Sequence, residues 1–253
     1  MNKIVFITGA TSGFGKASAE KFAANKYDLI ITGRRENLLF ELQKELENNF
    51  AVNVLSLVFD VRDRLAVASI ISNIPEQWKQ VDILINNAGL ALGRDYFEEA
   101  NMDDWETMLD TNVKGLLYVS RAVLPFMTQR NKGHIINLGS VAAKDVYEKG
   151  NVYCASKAAV DSISKAMRTD LLRHHIKVTA IHPGAAETEF SLVRFKGNEQ
   201  NAQKIYEGYK PLSAQDVADV IYYCASLPPH VCINDLVLTC TAQADAFYTF
   251  KGK

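Results

Sequence analysis

Several ingredients are scarce in this chain of 253 residues, and each scarcity excludes a class of protein. The four cysteines, Cys154, Cys224, Cys232 and Cys240, lie far apart with no Cys-x-x-Cys, which argues against a disulfide frame or a zinc site and for reduced, mostly buried thiols. The five histidines include no His-Glu-x-x-His, so no metal is expected. Neither sign of charge prevails: 28 basic and 29 acidic residues leave a net charge of −1, no footprint for nucleic acid or an anionic membrane. Apolar runs such as Ile4 to Ile7 or Leu116 to Val119 fall far short of the roughly 20 residues that span a bilayer, and no secretion-type leader opens the chain. A soluble, cytoplasmic protein with no nucleic-acid or membrane partner is expected. Repeats, low-complexity tracts and linkers rich in Pro, Gly or Ser are also missing, so residues 1–253 read as a single domain.

What is present is an alternation. Ile4 to Thr8, Leu29 to Thr32, Val54 to Phe59, Ile83 to Asn86, His134 to Leu138, Val178 to His182 and Leu236 to Thr239 read as strands, and their continuous Val, Ile and Leu content suits strands covered on both faces. Between them, Lys16 to Asn25, Glu36 to Asn49, Arg64 to Ile74, Asp103 to Arg130 and Tyr153 to His175 carry helical periodicity. Alternating strands and helices predict an α/β, Rossmann-type doubly wound parallel sheet of about seven strands with helices on both faces. Residues 185–212 break the rhythm and read as an insertion that covers a substrate.

The first strand runs into Gly9-Ala10-Thr11-Ser12-Gly13-Phe14-Gly15. Glycines there permit a tight turn and bring backbone N–H groups to a pyrophosphate at the positive end of the following helix. The second strand ends Thr32-Gly33-Arg34-Arg35, where an acid would select a ribose 2′-hydroxyl and an arginine a 2′-phosphate. With two guanidiniums and no carboxylate at that point, NADP is the expected cofactor.

Ser140 ends an apolar run, and Tyr153 and Lys157 are one helical turn apart. Hydride transfer to a carbonyl builds negative charge on oxygen, so a site needs a proton and hydrogen bonds aimed there. Tyr153 is the candidate acid, Lys157 the cation expected to lower its pKa, and Ser140 the group that orients the substrate oxygen. Asn112 either caps or bends its helix or holds a relaying water.

Together these residues resemble the short-chain dehydrogenase/reductase family. Its glycine motif matches Thr8 to Gly15, its Asn-Asn-Ala-Gly matches Asn86 to Gly89, and its Ser, Tyr-x-x-x-Lys and helix Asn match Ser140, Tyr153, Lys157 and Asn112. The resemblance implies that Tyr153 is the general acid/base, that Lys157 lowers its pKa and holds the nicotinamide ribose, and that Asn112 supports a proton relay. It further implies that Asp60 and Val61 flank the adenine, that Asn86, Asn87, Ala88 and Gly89 line the cofactor groove, and that Pro183, Gly184 and Thr188 sit by the nicotinamide.

Longer segments, including Asn87 to Gly93, Asp110 to Leu116, Thr188 to Gly197 and Leu227 to Val231, look like the NADP-dependent 3-hydroxy acid dehydrogenase branch. That likeness implies serine, allo-threonine, 3-hydroxyisobutyrate or malonic semialdehyde as substrate types. The chain departs from the branch at Pro183 to Ala186 and Lys144 to Lys149. A carboxylate substrate needs a cation, and Arg194, with Lys196 beside it, is the candidate in the irregular segment. Alternatives are a reductase of the same family acting on a 3-oxoacyl thioester or a pterin side chain, and a dinucleotide sensor without turnover. Apolar residues on several faces of the two long helices, with the family's habit, imply a homotetramer. The aromatic tail Phe247, Tyr248 and Phe250 could join a partner or pack at home.

Overall fold

A computed structural model describes residues 2–252. The chain runs β1 (Ile4–Ile7), α1 (Gly13–Ala24), β2 (Asp28–Gly33), α2 (Glu36–Phe50), β3 (Val54–Val58), α3 (Arg64–Ser72), β4 (Val81–Asn86), α4 (Met102–Leu109), α5 (Leu116–Thr128), β5 (Gly133–Leu138), α6 (Asn151–Leu171), β6 (Ile176–Pro183), α7 (Glu189–Arg194), α8 (Glu199–Lys204), α9 (Ala214–Ser226) and β7 (Asp235–Leu238). The seven strands form one sheet in the order β3-β2-β1-β4-β5-β6-β7, with every pairing parallel. Direction of winding reverses between β1 and β4, which opens a crevice at the carboxyl ends of those strands.

Two apolar layers hold the sheet. On one face Phe22 of α1, Leu39, Leu42 and Leu46 of α2, and Val217 and Ile221 of α9 pack on Val5, Ile7 and Leu29. On the other, Val67 and Ile71 of α3, Val119, Val123 and Met127 of α5 and Leu171 of α6 cover Phe6, Ile30 and Leu84. Side chains so completely buried contribute about 1.5–3 kcal/mol each, so the two-sided cover is what keeps a parallel sheet stable. Covering is complete for β1, whose residues are all buried, but β3 is half-buried and β7 alternates exposed with half-buried positions. The expectation of strands covered on both faces therefore holds less well at the two edges, where β3 and β7 have a neighbouring strand on one side only.

Two helices differ from the sequence reading. The predicted helix from Asp103 to Arg130 is interrupted by a wide turn of π type over residues 110–115, with Asn112 inside it. Gly115 packs there against the Val61 side chain, and a Cβ at that position would collide with it. Helix α9 was not anticipated, although Ser213 and Asp216 form a capping box, a detectable start signal. The remaining predicted helices stand within a few residues of their expected ends. The segment 185–212 holds the short helices α7 and α8, and a bridge between Ala186 and Leu212 ties its ends.

All four cysteines are free, and Cys154, Cys224 and Cys240 are buried. Among the described residues no helix is long and apolar enough to cross a membrane. The tail turns back on its own chain, with Phe250 N–H donating to Ala242 and Gly252 N–H to Gly208, while Phe247, Tyr248 and Phe250 stay exposed.

Candidate active site

A cavity of about 1180 Å³ occupies the carboxyl-end crevice, and of the site residues expected from sequence only Gly15, Asn86, Asn112 and Lys196 do not line it; Asn86 is buried and donates to Ser120 and Asn137 instead. The glycine loop forms its floor. Gly9 has a left-handed φ of +66°, and a Cβ on Gly15 would run into the Gly9 carbonyl and the Asn87 amide. Gly15 is thus a packing residue beneath the loop. Asn87 fastens the loop from the next strand, its side-chain amide donating to the Thr8 and Gly9 carbonyls at 2.8 and 3.0 Å. Ser12 precedes α1 without making a side-chain cap, so the first N–H groups of that helix have no capping side chain to bond.

At the far end, Arg35 donates to Thr11 Oγ1 at 3.0 and 3.2 Å and pairs with Glu189 at 3.0 Å. Arg34 lies 3.7 Å from Asp60, whose main partner is Arg62 at 2.7 Å. Burial opposes ionisation of Asp60, but the Arg62 fork prevails and holds its carboxyl below the usual carboxylate range. The absence of a carboxylate near the arginines, as read from the strand end, is therefore corrected: Asp60 and Glu189 reach them from other elements.

Tyr153 and Lys157 share one face of α6 and are both buried. The expected lowering of the Tyr153 pKa by its neighbour is not what the free site displays. Burial, reinforced by Tyr147, pushes the phenol well above its ordinary value, while the Ser140 hydroxyl and Arg194 counter only in part. Lys157 instead donates to the Leu138 carbonyl at 2.9 Å, and burial brings its ammonium down to about 8. Ser140 Oγ accepts from the Ala142 N–H at 3.1 Å, so its own hydrogen is the one turned toward the Tyr153 phenol. Asn112 sits behind the wall: Oδ1 accepts from Leu90 N–H at 2.8 Å, and Nδ2 donates to the Leu90 carbonyl at 2.8 Å and to Ser156 at 3.0 Å. It ties three segments together at the helix interruption.

Arg194, at the end of α7, is 9% exposed, and its partners among the described residues are neutral. Nη2 donates to the Tyr147 hydroxyl at 2.9 Å, Nε reaches the Gly93 carbonyl at 3.4 Å, and the guanidinium stacks 5.4 Å from the Tyr153 ring and 5.5 Å from that of Tyr147. Lys196 instead pairs with Asp104. Tyr147, Glu189 and Phe190, whose ring is 5.7 Å from that of Tyr153, were not singled out from sequence. Tyr147 falls in the segment that departs from the related branch, and that departure was its only signal.

A dinucleotide-sized crevice at the winding reversal, floored by glycines, with a serine, tyrosine and lysine converging at one end, defines an oxidoreductase of the short-chain type. Residues 3–198 match the short chain dehydrogenase family, and the chain belongs to it. Among its relatives, the NADP-dependent 3-hydroxy acid dehydrogenase YdfG of Salmonella typhi is 47% identical over 244 residues, covering 96% of this chain and 97% of that protein. Sulfoacetaldehyde reductase 2 of Chromohalobacter salexigens is 47% identical over 245 residues, 96% of each chain. The closed form of a serine dehydrogenase complexed with NADP+ superposes with a TM-score of 0.91 at 43% identity, covering 99% of this chain and 100% of the other.

Proposed function

We propose that this protein is an NADP-dependent dehydrogenase of small 3-hydroxy acids, of the serine, allo-threonine, 3-hydroxyisobutyrate or malonic semialdehyde kind. The observation that carries the reading is Arg194: a buried guanidinium whose neighbours are neutral lacks a counter-charge, and an anionic substrate beside the Tyr153 ring would supply it. Residues 185–212, which place Arg194, act in this reading as the cover over the substrate.

The crevice suits NADP on its own chemistry, with α1 N–H groups for the pyrophosphate and two guanidiniums for a 2′-phosphate. When bound, the dinucleotide accepts or supplies the hydride. In the reductive direction Tyr153, kept protonated by burial, gives its phenolic proton to the substrate oxygen, and the Ser140 hydroxyl donates a hydrogen bond to that oxygen. In the oxidative direction the phenolate must form, and Arg194 is the cation that favours it. Asn112 holds the Leu90 segment and α6 in place.

A second reading rests on the sulfoacetaldehyde reductase relative, because a guanidinium receives a sulfonate as readily as a carboxylate. We further propose a cytoplasmic homotetramer; Leu109 on α4 and Leu117 on α5, 39% and 40% exposed, support a covered helix face. Initial rates test the substrate class, with NADP against L-serine, L-allo-threonine and 3-hydroxyisobutyrate, and with NADPH against malonic semialdehyde and sulfoacetaldehyde. Turnover of sulfoacetaldehyde alone selects the sulfonate reading, and inactivity with all five overturns both.

A further inference from the structure

We infer that His182 is a positioning residue for Ser140, held in place by a charge cluster of Lys144, Asp161 and Asp235 behind the active site. The inference rests on the reading of Ser140 as the group that holds the substrate oxygen. His182 is fully buried on β6, and its ring lies against Gly139, where any Cβ would strike it. Nδ1 lies 3.3 Å from the Ser140 N–H and 3.2 Å from the Ser140 carbonyl oxygen. Nε2 points the other way, 3.5 Å from Asp161 and 3.6 Å from Asp235.

The same two carboxylates grip Lys144, at 3.2 and 2.6 Å. Lys144 closes the short turn Val141–Ala143 that begins at Ser140. The turn carrying Ser140 is therefore ion-paired to both aspartates at its finish, through Lys144, while at its start His182 faces the same carboxylates with an Nε2 that makes no hydrogen bond to them. Those carboxylates come from α6 and β7, so the serine's place is referred to elements on either side of it. The Lys144 ammonium supplies the positive charge between Asp161 and Asp235.

Ring chemistry makes the arrangement two-state. A neutral ring with hydrogen on Nε2 accepts at Nδ1 from the Ser140 N–H; a protonated ring must instead donate from Nδ1 to the Ser140 carbonyl. The Ser140 N–H and the Ser140 carbonyl thus compete for Nδ1 according to the charge of the ring. The charged groups facing the ring are Lys144 from the turn, Asp161 from α6 and Asp235 from β7, with Lys165 on the far side of Asp161. Burial, then Lys144, hold the ring below its ordinary pKa against the pull of the two aspartates, so the neutral form serves at neutral pH.

The experiment compares His182→Leu with His182→Asn, whose amide can still bond the Ser140 main chain, and adds Lys144→Met and Asp235→Asn, each read by kcat, KM, NADPH binding and the pH profile. The leucine variant is expected to lose about tenfold or more in kcat with NADPH binding intact, as misplacement of a reacting group does, and the asparagine variant to recover most of it with the acid limb flattened. Lys144→Met should move the acid limb of kcat to higher pH, and Asp235→Asn to lower pH. Unchanged kcat in His182→Leu, no recovery in His182→Asn, or acid limbs that stay put in both cluster variants would overturn the inference. Ser140→Ala separates the two levels: if it leaves kcat unchanged the reading of the serine itself fails, whereas a large loss there with active His182 variants removes only the positioning role.

Discussion

Arg35 and Glu189 meet across the mouth of the cavity, Nη1 to Oε2 at 3.0 Å, joining the start of α2 to the first residue of α7. A 2′-phosphate on the adenosine ribose has to share Arg35 with this carboxylate. The pair is about half exposed, where such contacts contribute about 0.2–1 kcal/mol. Glu189→Gln is therefore expected to tighten NADPH binding by roughly two- to fivefold at low salt, while NADH, which lacks the phosphate, binds as before. Fluorescence titration with both dinucleotides checks this, and an equal change for the two would show that Glu189 does not act through Arg35.

Replacement of the Tyr153 hydroxyl removes the proton source and leaves the crevice intact. Tyr153→Phe is expected to lower kcat by about 10²–10⁴-fold with NADPH binding unchanged. Because burial brings Lys157 down to about 8, its ammonium is lost in the free enzyme as pH rises through that value. The reductive kcat/KM should fall above that pH, and a profile flat to pH ~10, the ordinary lysine range, would place the charged form elsewhere.

Truncating Arg194 tests recognition of the anion apart from hydride transfer. Charge-assisted hydrogen bonds contribute about 1.5–3 kcal/mol, so Arg194→Gln should lower kcat/KM for acidic substrates by roughly 10- to 150-fold. Slow turnover of an uncharged alcohol should be unaffected. Arg194→Lys should recover only part, because the planar fork is lost. Equal losses for charged and uncharged substrates would mean that Arg194 supports the fold of α7 rather than the substrate.

Away from the site, His134 on β5 is buried with Nε2 2.8 Å from Thr179 Oγ1, and burial lowers its pKa to about 3. The unfolded chain binds this proton more readily, so stability falls as pH drops below the ordinary histidine value toward the folded one. The loss attributable to His134 between pH ~7 and ~5 is about 2 kcal/mol. Urea unfolding of His134→Gln should show a correspondingly shallower acid destabilisation, and identical pH dependence in the two proteins would count against it.

Much of the fold was legible because parallel strands buried on both faces must be apolar throughout, and the intervening helices must show one apolar stripe each. That logic located β1, β2, β4, β5 and β6 and the stripe of Leu39, Leu42 and Leu46. It did not reveal the interruption at residues 110–115, where Gly115 lies against Val61 of the loop between β3 and α3, a contact no spacing along the helix encodes. Nor did it separate Arg194 from Lys196, which are equivalent as charges in a loop. Only the folded chain buries the first against Tyr147 and gives the second to Asp104.

The sequence by itself determined the winding of the sheet, the glycine loop and the placing of Tyr153 and Lys157 on one helix face, since each depends on local periodicity or on residues a few positions apart. Tertiary structure alone decided the electrostatics: that Tyr153 is raised rather than lowered in the free site, that Arg35 faces Glu189, and that Ser140 is backed by His182, Asp161 and Asp235. The physical reason is that burial and charge–charge distances are set by segments far apart in the chain, and no spacing along it encodes how much water they exclude.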